Sequence, residues 1–224
     1  MMTNLFSIFD PSTNILNINF NWLSIILGIL FLYNSFWIIP SRLMMIYKLI
    51  MKSLFNEFKM LMNIYTYNGN ILIFITLFFY ILYNNLLGLM PYIFTATTHM
   101  ALTLSLSMSI WLTLMIFGWM NKYTHMMAHM IPNGTPIMLT WFMVLIETTS
   151  NIIRPMTLAI RLMANMMAGH LLITLLSELF NKVNYLIMTI IIFTQILLLI
   201  LEISVAFIQS YVFFILSTLY TTEI

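Results

Sequence analysis

Ile152-Ile-Arg154-Pro-Met-Thr-Leu-Ala-Ile-Arg161-Leu-Met-Ala-Asn165-Met-Met-Ala-Gly-His170 is apolar enough to sit in a membrane, yet it carries an arginine in its middle. A guanidinium stays protonated in any protein environment, so Arg161 cannot escape burial by becoming neutral. At the centre of a lipid-embedded helix it costs at least roughly 2.5–3.5 kcal/mol, which makes it a functional candidate in need of a partner. Arg154, Leu158, Arg161, Asn165 and Ala168 follow +4, +3, +4, +3 spacing and so share one helical face. The small residues Ala164, Ala168 and Gly169 allow a second helix to approach closely. His170, nine residues beyond Arg161, points about 180° away from it on an ideal helix.

The rest of the chain agrees with a membrane setting. Of its 224 residues, 62% are hydrophobic and 6% charged, and the mean hydropathy is +1.01. Soluble domains carry about 25% charged residues, so this chain cannot cover a globular surface with charge. A net charge of +2 gives no footprint for nucleic acid. The absence of cysteine excludes disulfides, thiolate metal sites and thiol chemistry. The first residues have no basic region ahead of an apolar run and do not read as a cleaved signal or transit peptide, so an organellar location would imply synthesis in the organelle.

The fold class that follows is an all-α membrane protein of one integral domain, 1–224, with about five membrane-embedded helices and one amphipathic surface helix. Residues 22–39 form a first span, with Trp22 and Trp37 near its ends and Pro40 as a break. Residues 41–63 hold half of the chain's eight basic residues, Arg42, Lys48, Lys52 and Lys59. Lys48, Lys52, Asn56 and Lys59 share a face, which reads as a helix lying in the membrane surface. Residues 71–90, interrupted late by Asn84, Asn85 and Gly88, and residues 100–120 are further spans, followed by a polar loop at 121–134. Alternate crossings put 41–63 and 121–134 on one side, which the positive-inside rule assigns to cytoplasm or matrix; Asp10 lies opposite. Residues 135–179 and 185–219 are far longer than the roughly 20 residues a crossing needs, and they read as a tilted or near-horizontal hairpin. Pro155 predicts a break near Arg154.

On the last helix Gln195, Glu202 and Gln209 recur every seventh residue, a polar stripe that needs a facing polar helix or water. Bland readings exist for these charges. An Arg161–Glu202 pair would serve as structural glue, His170 as a satisfied core histidine, and Glu147 and Arg154 as interfacial residues reaching for headgroups. His125 and His129, four apart, could share a metal, but no carboxylate or thiolate stands near them, and no metal or cofactor is expected. No phosphate-binding loop, nucleophile elbow or zinc-protease motif is present. What remains is a set of titratable and hydrogen-bonding groups in a membrane, the kind of chain that carries protons. A proton-coupled carrier and a non-conducting scaffold are the alternatives.

Arg154-Pro-x-x-Leu-Ala-x-Arg161-Leu-x-Ala-Asn165-x-x-Ala-Gly-His170, with Leu201-Glu-x-x-Val-x-x-Ile-Gln209-Ser-Tyr-Val-Phe, resembles subunit a of the F-type ATP synthase. Phe9-Asp-Pro, Pro91-Tyr-Ile-Phe, Pro132-Asn-Gly-Thr-Pro and Leu216-Ser-Thr-Leu-Tyr resemble its animal mitochondrial form. The resemblance implies a non-catalytic, proton-translocating stator subunit of the mitochondrial inner membrane. Its implied partners are a rotating ring of c subunits, peripheral-stalk and other small membrane subunits, and the lipid bilayer. It further implies that Arg161 faces the ring carboxylates and that His170, Glu202, Asn165 and Gln209 line the proton-entry half-channel. Glu147 would stand in the exit half-channel. Gln195 and Arg154 are accessory candidates, Gln195 on heptad spacing alone.

Overall fold

A long apolar segment in lipid can satisfy its backbone hydrogen bonds only internally, so helices are its expected form. The structure, a computed structural model, describes residues 5–13, 19–30, 39–61, 68–131, 136–180 and 185–223. The helices are α1 (Ser24–Leu30), α2 (Arg42–Leu61), α3 (Asn68–Gly88), α4 (Met100–Asn121), α5 (Tyr123–His129), α6 (Ile137–Phe180) and α7 (Tyr185–Glu223), with 3-10 turns at Leu5–Phe9, Phe20–Leu23 and Ala96–Thr98. Among the described residues there is no strand. Four helices, α3, α4, α6 and α7, are long and apolar enough to cross a membrane. Of the expected first span the apolar helical stretch Phe20–Leu30 is seen; residues 31–38, like 62 and 63 of the surface helix, lie outside the described residues.

Three expectations need correction. The polar loop at 121–134 contains a helix, α5, whose Met126 is buried. The interruption expected at Asn84 and Asn85 is absent, with both asparagines buried inside α3, whereas at Gly88 the helix does end, short of the expected Met90. The break expected at Pro155 does not occur either, since α6 runs through it for 44 residues. Breaking a helix at membrane depth would free several backbone groups with no water to take them, whereas proline inside the helix removes one N–H. Pro155 is itself buried and borders α4 and α7 residues, including Trp111 and Phe213.

Packing places α3 against α7, α4 against α6, and α6 against α7. α2 keeps Lys48, Lys52, Asn56 and Lys59 exposed and buries Leu54 and Phe58 against Ile71, Phe74, Phe78 and Phe214. That is the arrangement of a surface helix stapled to a transmembrane bundle by one apolar stripe. A second core cluster joins Ile81 of α3, Leu158 and Leu162 of α6, and Phe213 of α7. Hydroxyls within the helices donate to their own backbone, as Ser210 Oγ does to Phe207 O (2.8 Å) and Ser217 Oγ to Phe214 O (2.7 Å). This satisfies them without a neighbouring helix.

Phe58 is 1% exposed and lies against Phe214. Phe58→Ala is expected to cost roughly 3–5 kcal/mol and to lower the melting temperature of the detergent-solubilised protein, whereas Lys52→Ala on the exposed face leaves it within about 0.5 kcal/mol of the parent.

Candidate functional site

The middle of α6 has two unlike faces. Pro155, Leu158, Ala159, Leu162 and Met166 are buried, at the spacing of one stripe. Arg161, Asn165 and Ala168, which adjoin this stripe at its Leu158 edge, are exposed, so the face they were expected to share with Leu158 is split between covered and open sides. The Arg161–Glu202 pair does not form: among the described residues Arg161 has no ion pair. Its charge therefore stands on an open surface at the level of the apolar core.

Glu202 lies on the covered side of α7, 6% exposed. It meets α6 at Gly169, where a Cβ would come within 2.6 Å of Glu202 Oε1 and 2.9 Å of its Cδ. A larger residue here would displace the carboxylate from its place between the two helices. An open-sided cavity of about 240 Å³ reaches Glu202 and is lined also by Asn165, Ala168, Leu172, Leu198 and Leu201. At roughly 30 Å³ per water it has room for several. His170 is half-buried beside this contact, Gln209 is buried one helical turn beyond Ala206, and Gln195 is half-buried.

Buried polar atoms without a hydrogen-bond partner gather at this end of the bundle. Among the described residues they include both Glu202 oxygens, His170 Nε2, Asn84 Nδ2, both polar atoms of the Asn85 side chain, Thr97 Oγ1 and His99 Nε2. The Ala96–Thr98 turn packs on α6 and on α3, whose last residue Gly88 lies against Thr95. His99 stacks on Phe94 and lies beside Trp22, with ring centroids 5.1 and 5.2 Å apart. Unsatisfied groups at this density are rare in folded proteins and call for water or exchangeable protons.

A second polar set sits toward the N-terminal end of α6. Arg154 Nη2 lies 4.0 Å from Glu147 Oε1, with 31% and 25% of the two side chains exposed. The arginine also lies over the Tyr220 ring of α7, 5.5 Å from its centroid. Asn151 and His129 line a cavity of about 40 Å³ with Arg154 and Tyr220. The interaction of Glu147 with Arg154 is a loose ion pair that leaves the carboxylate in reach of solvent. Headgroup-facing roles are thus not needed to explain either residue. His125 and His129 are both exposed on α5.

Sequence reasoning missed several members. Asn84 and Asn85 were read as interruptions of a span, although two asparagines inside an apolar helix are themselves a signal of buried polar function. Thr97 and His99 lie in a turn without periodicity. Tyr220 could be found only through its partner on another helix.

The family model described as "ATP synthase A chain" matches residues 18–222. The chain is 55% identical to ATP synthase subunit a of Anopheles quadrimaculatus over 100% of both chains. It is 54% identical to the protein of that name from Drosophila melanogaster and 53% to that from Locusta migratoria, each again over the full length of both.

The tight contact at Gly169 makes a direct prediction. Gly169→Val overpacks the α6–α7 seam and is expected to cost roughly 1–3 kcal/mol in thermal stability of the solubilised protein. Ala168→Val, on the exposed face, is expected to be near neutral in the same melt.

Proposed function

We propose how this chain works from one premise: it belongs to the family of ATP synthase subunit a, the proton-translocating stator subunit of the F-type ATP synthase. It is a multi-pass membrane protein that works in complex with other ATP synthase subunits. In our reading the membrane is the mitochondrial inner membrane, and the exposed face of α6 around Arg161 abuts a rotating c-subunit ring.

The observation that carries this reading is the unpaired, exposed Arg161 standing between two polar sets. Protons enter from the intermembrane side through Asn84, Asn85, Thr97 and His99, where orphaned polar atoms support a hydrated path. They reach His170 and Glu202, with Asn165 and Gln209 beside them, and pass to a ring carboxylate. A neutral carboxyl can enter lipid at low cost, whereas an ionised one cannot. After the ring turns, the carboxyl meets the exit side and releases its proton toward Glu147 and the matrix. Arg161 favours the ionised carboxylate as it passes, because an opposite charge within about 4–6 Å stabilises it. Each charge moved across 100 mV contributes about 2.3 kcal/mol.

The long helices suit this geometry. α6, at 44 residues, is about 66 Å long against a hydrocarbon core of about 30 Å, so it lies steeply inclined. The chain makes no ATP itself; it holds the ring to a rotary path. A solute carrier would show paired, broken helices, and both long helices here are continuous.

Glu202→Gln tests the reading in the intact complex reconstituted in liposomes. Proton-driven ATP synthesis is expected to fall by roughly a hundredfold, the scale of losing a positioned proton-transfer group. ATP hydrolysis by the detached soluble head stays unchanged. An unaltered synthesis rate would remove Glu202 from the proton path.

A further inference from the structure

Beside Arg161 the buried side chains of α6 are apolar. Leu158 and Leu162 flank Arg161 along α6 but point to the covered side, where they pack with Ile81 and Phe213. These four side chains are 1–6% exposed. On the Glu202 side of this cluster the next polar residues are Asn84 and Asn85 on α3, Asn165 on α6 and Gln209 on α7. On the Glu147 side, beyond Ser217 and Thr218, which donate to carbonyls of α7, they are Arg154 on α6 and Tyr220 on α7, which touch each other. The stretch of α6 between Arg154 and Asn165 is about 16 Å long.

Nothing in the cluster offers a proton a step across. Ser107, Ser210 and Ser217, the hydroxyls bordering it, donate to carbonyls of their own helices. Tyr80 packs at its edge and hydrogen-bonds to Asn84, on the Glu202 side. A cavity of about 20 Å³ bordered by Leu158, Phe213 and Ser217 has space for about one water, which cannot form a chain. A bare charge would have to leave water for hydrocarbon, at a cost far above what the membrane potential supplies.

We propose that Ile81, Leu158, Leu162 and Phe213 form a proton-tight septum that closes the direct route between the two half-channels inside the subunit. The proposal rests on the half-channel reading above and adds a division of labour to it. Arg161 guards the route along the ring face by charge. The septum guards the internal route by excluding water and hydrogen-bonding groups, and it acts whether or not the ring is loaded.

The two routes separate in a complex whose ring carboxylates are all replaced by amides, so that the ring carries no protons. With the parent chain, reconstituted vesicles are expected to hold a pH gradient. Leu162→Asn is expected to raise passive proton conductance by roughly tenfold or more, since one buried polar group provides a water-binding step worth about 1–3 kcal/mol. Leu162→Met, which keeps the site apolar, stays tight, and Leu158→Ser in an independent complex leaks as Leu162→Asn does. Adding Glu202→Gln to Leu162→Asn lowers the leak, because the leaking proton still enters by that carboxylate. Assembly is checked by the amount of chain recovered with the ring. A tight Leu162→Asn and a tight Leu158→Ser in assembled complexes would overturn the septum, as would a leak indifferent to Glu202→Gln. If Glu202→Gln leaves coupled synthesis intact in the complex with its native ring, the half-channel reading fails instead.

Discussion

A guanidinium that cannot be neutralised stands midway along an apolar helix, with no carboxylate paired to it among the described residues. The rest of the structure is arranged around that constraint. The partner that would quench Arg161 internally, Glu202, is turned to the other side of the α6–α7 seam and kept there by the space at Gly169. Glu147 of α6 is engaged by Arg154, which Tyr220 in turn holds. Glu147 and Glu202 are thus both turned away from Arg161, and in our proposal the central charge is left for a group that comes from outside.

Two polar ends separated by an apolar middle give the molecule its logic. A continuous polar line through the bundle would dissipate the gradient, and a wholly apolar bundle would carry nothing. The orphaned atoms of Asn85, His170 and Glu202 stop where Leu162 and Phe213 begin. Beyond Leu158 the charged groups resume with Arg154. In the proposed mechanism such a gap leaves the open face of α6, where Arg161 stands, as the place of transfer.

Much of this was legible in the sequence, because membranes impose strong rules. The hairpin of residues 135–179 and 185–219 corresponds to helices at 137–180 and 185–223, since length and apolarity alone specify them. The lysine face of residues 41–63 is the exposed face of α2, since helical periodicity is local. The failures were of two kinds. Rules calibrated in water overstated the breaking power of Pro155 and of Asn84 and Asn85, which a membrane helix absorbs because broken backbone has no solvent to turn to. Contacts between distant segments were invisible: nothing local tells that Tyr220 meets Arg154, that Gly169 makes room for Glu202, or that the 95–99 turn closes over the end of α3.

The central claim is that the charge of Arg161 separates the two half-channels along the ring face. It is tested most directly by reconstituting the intact complex with Arg161→Ala and measuring proton flux and ATP synthesis under an imposed gradient. The account predicts that synthesis is abolished while passive, ring-dependent proton flux rises. Retained proton-driven synthesis without leak would contradict it.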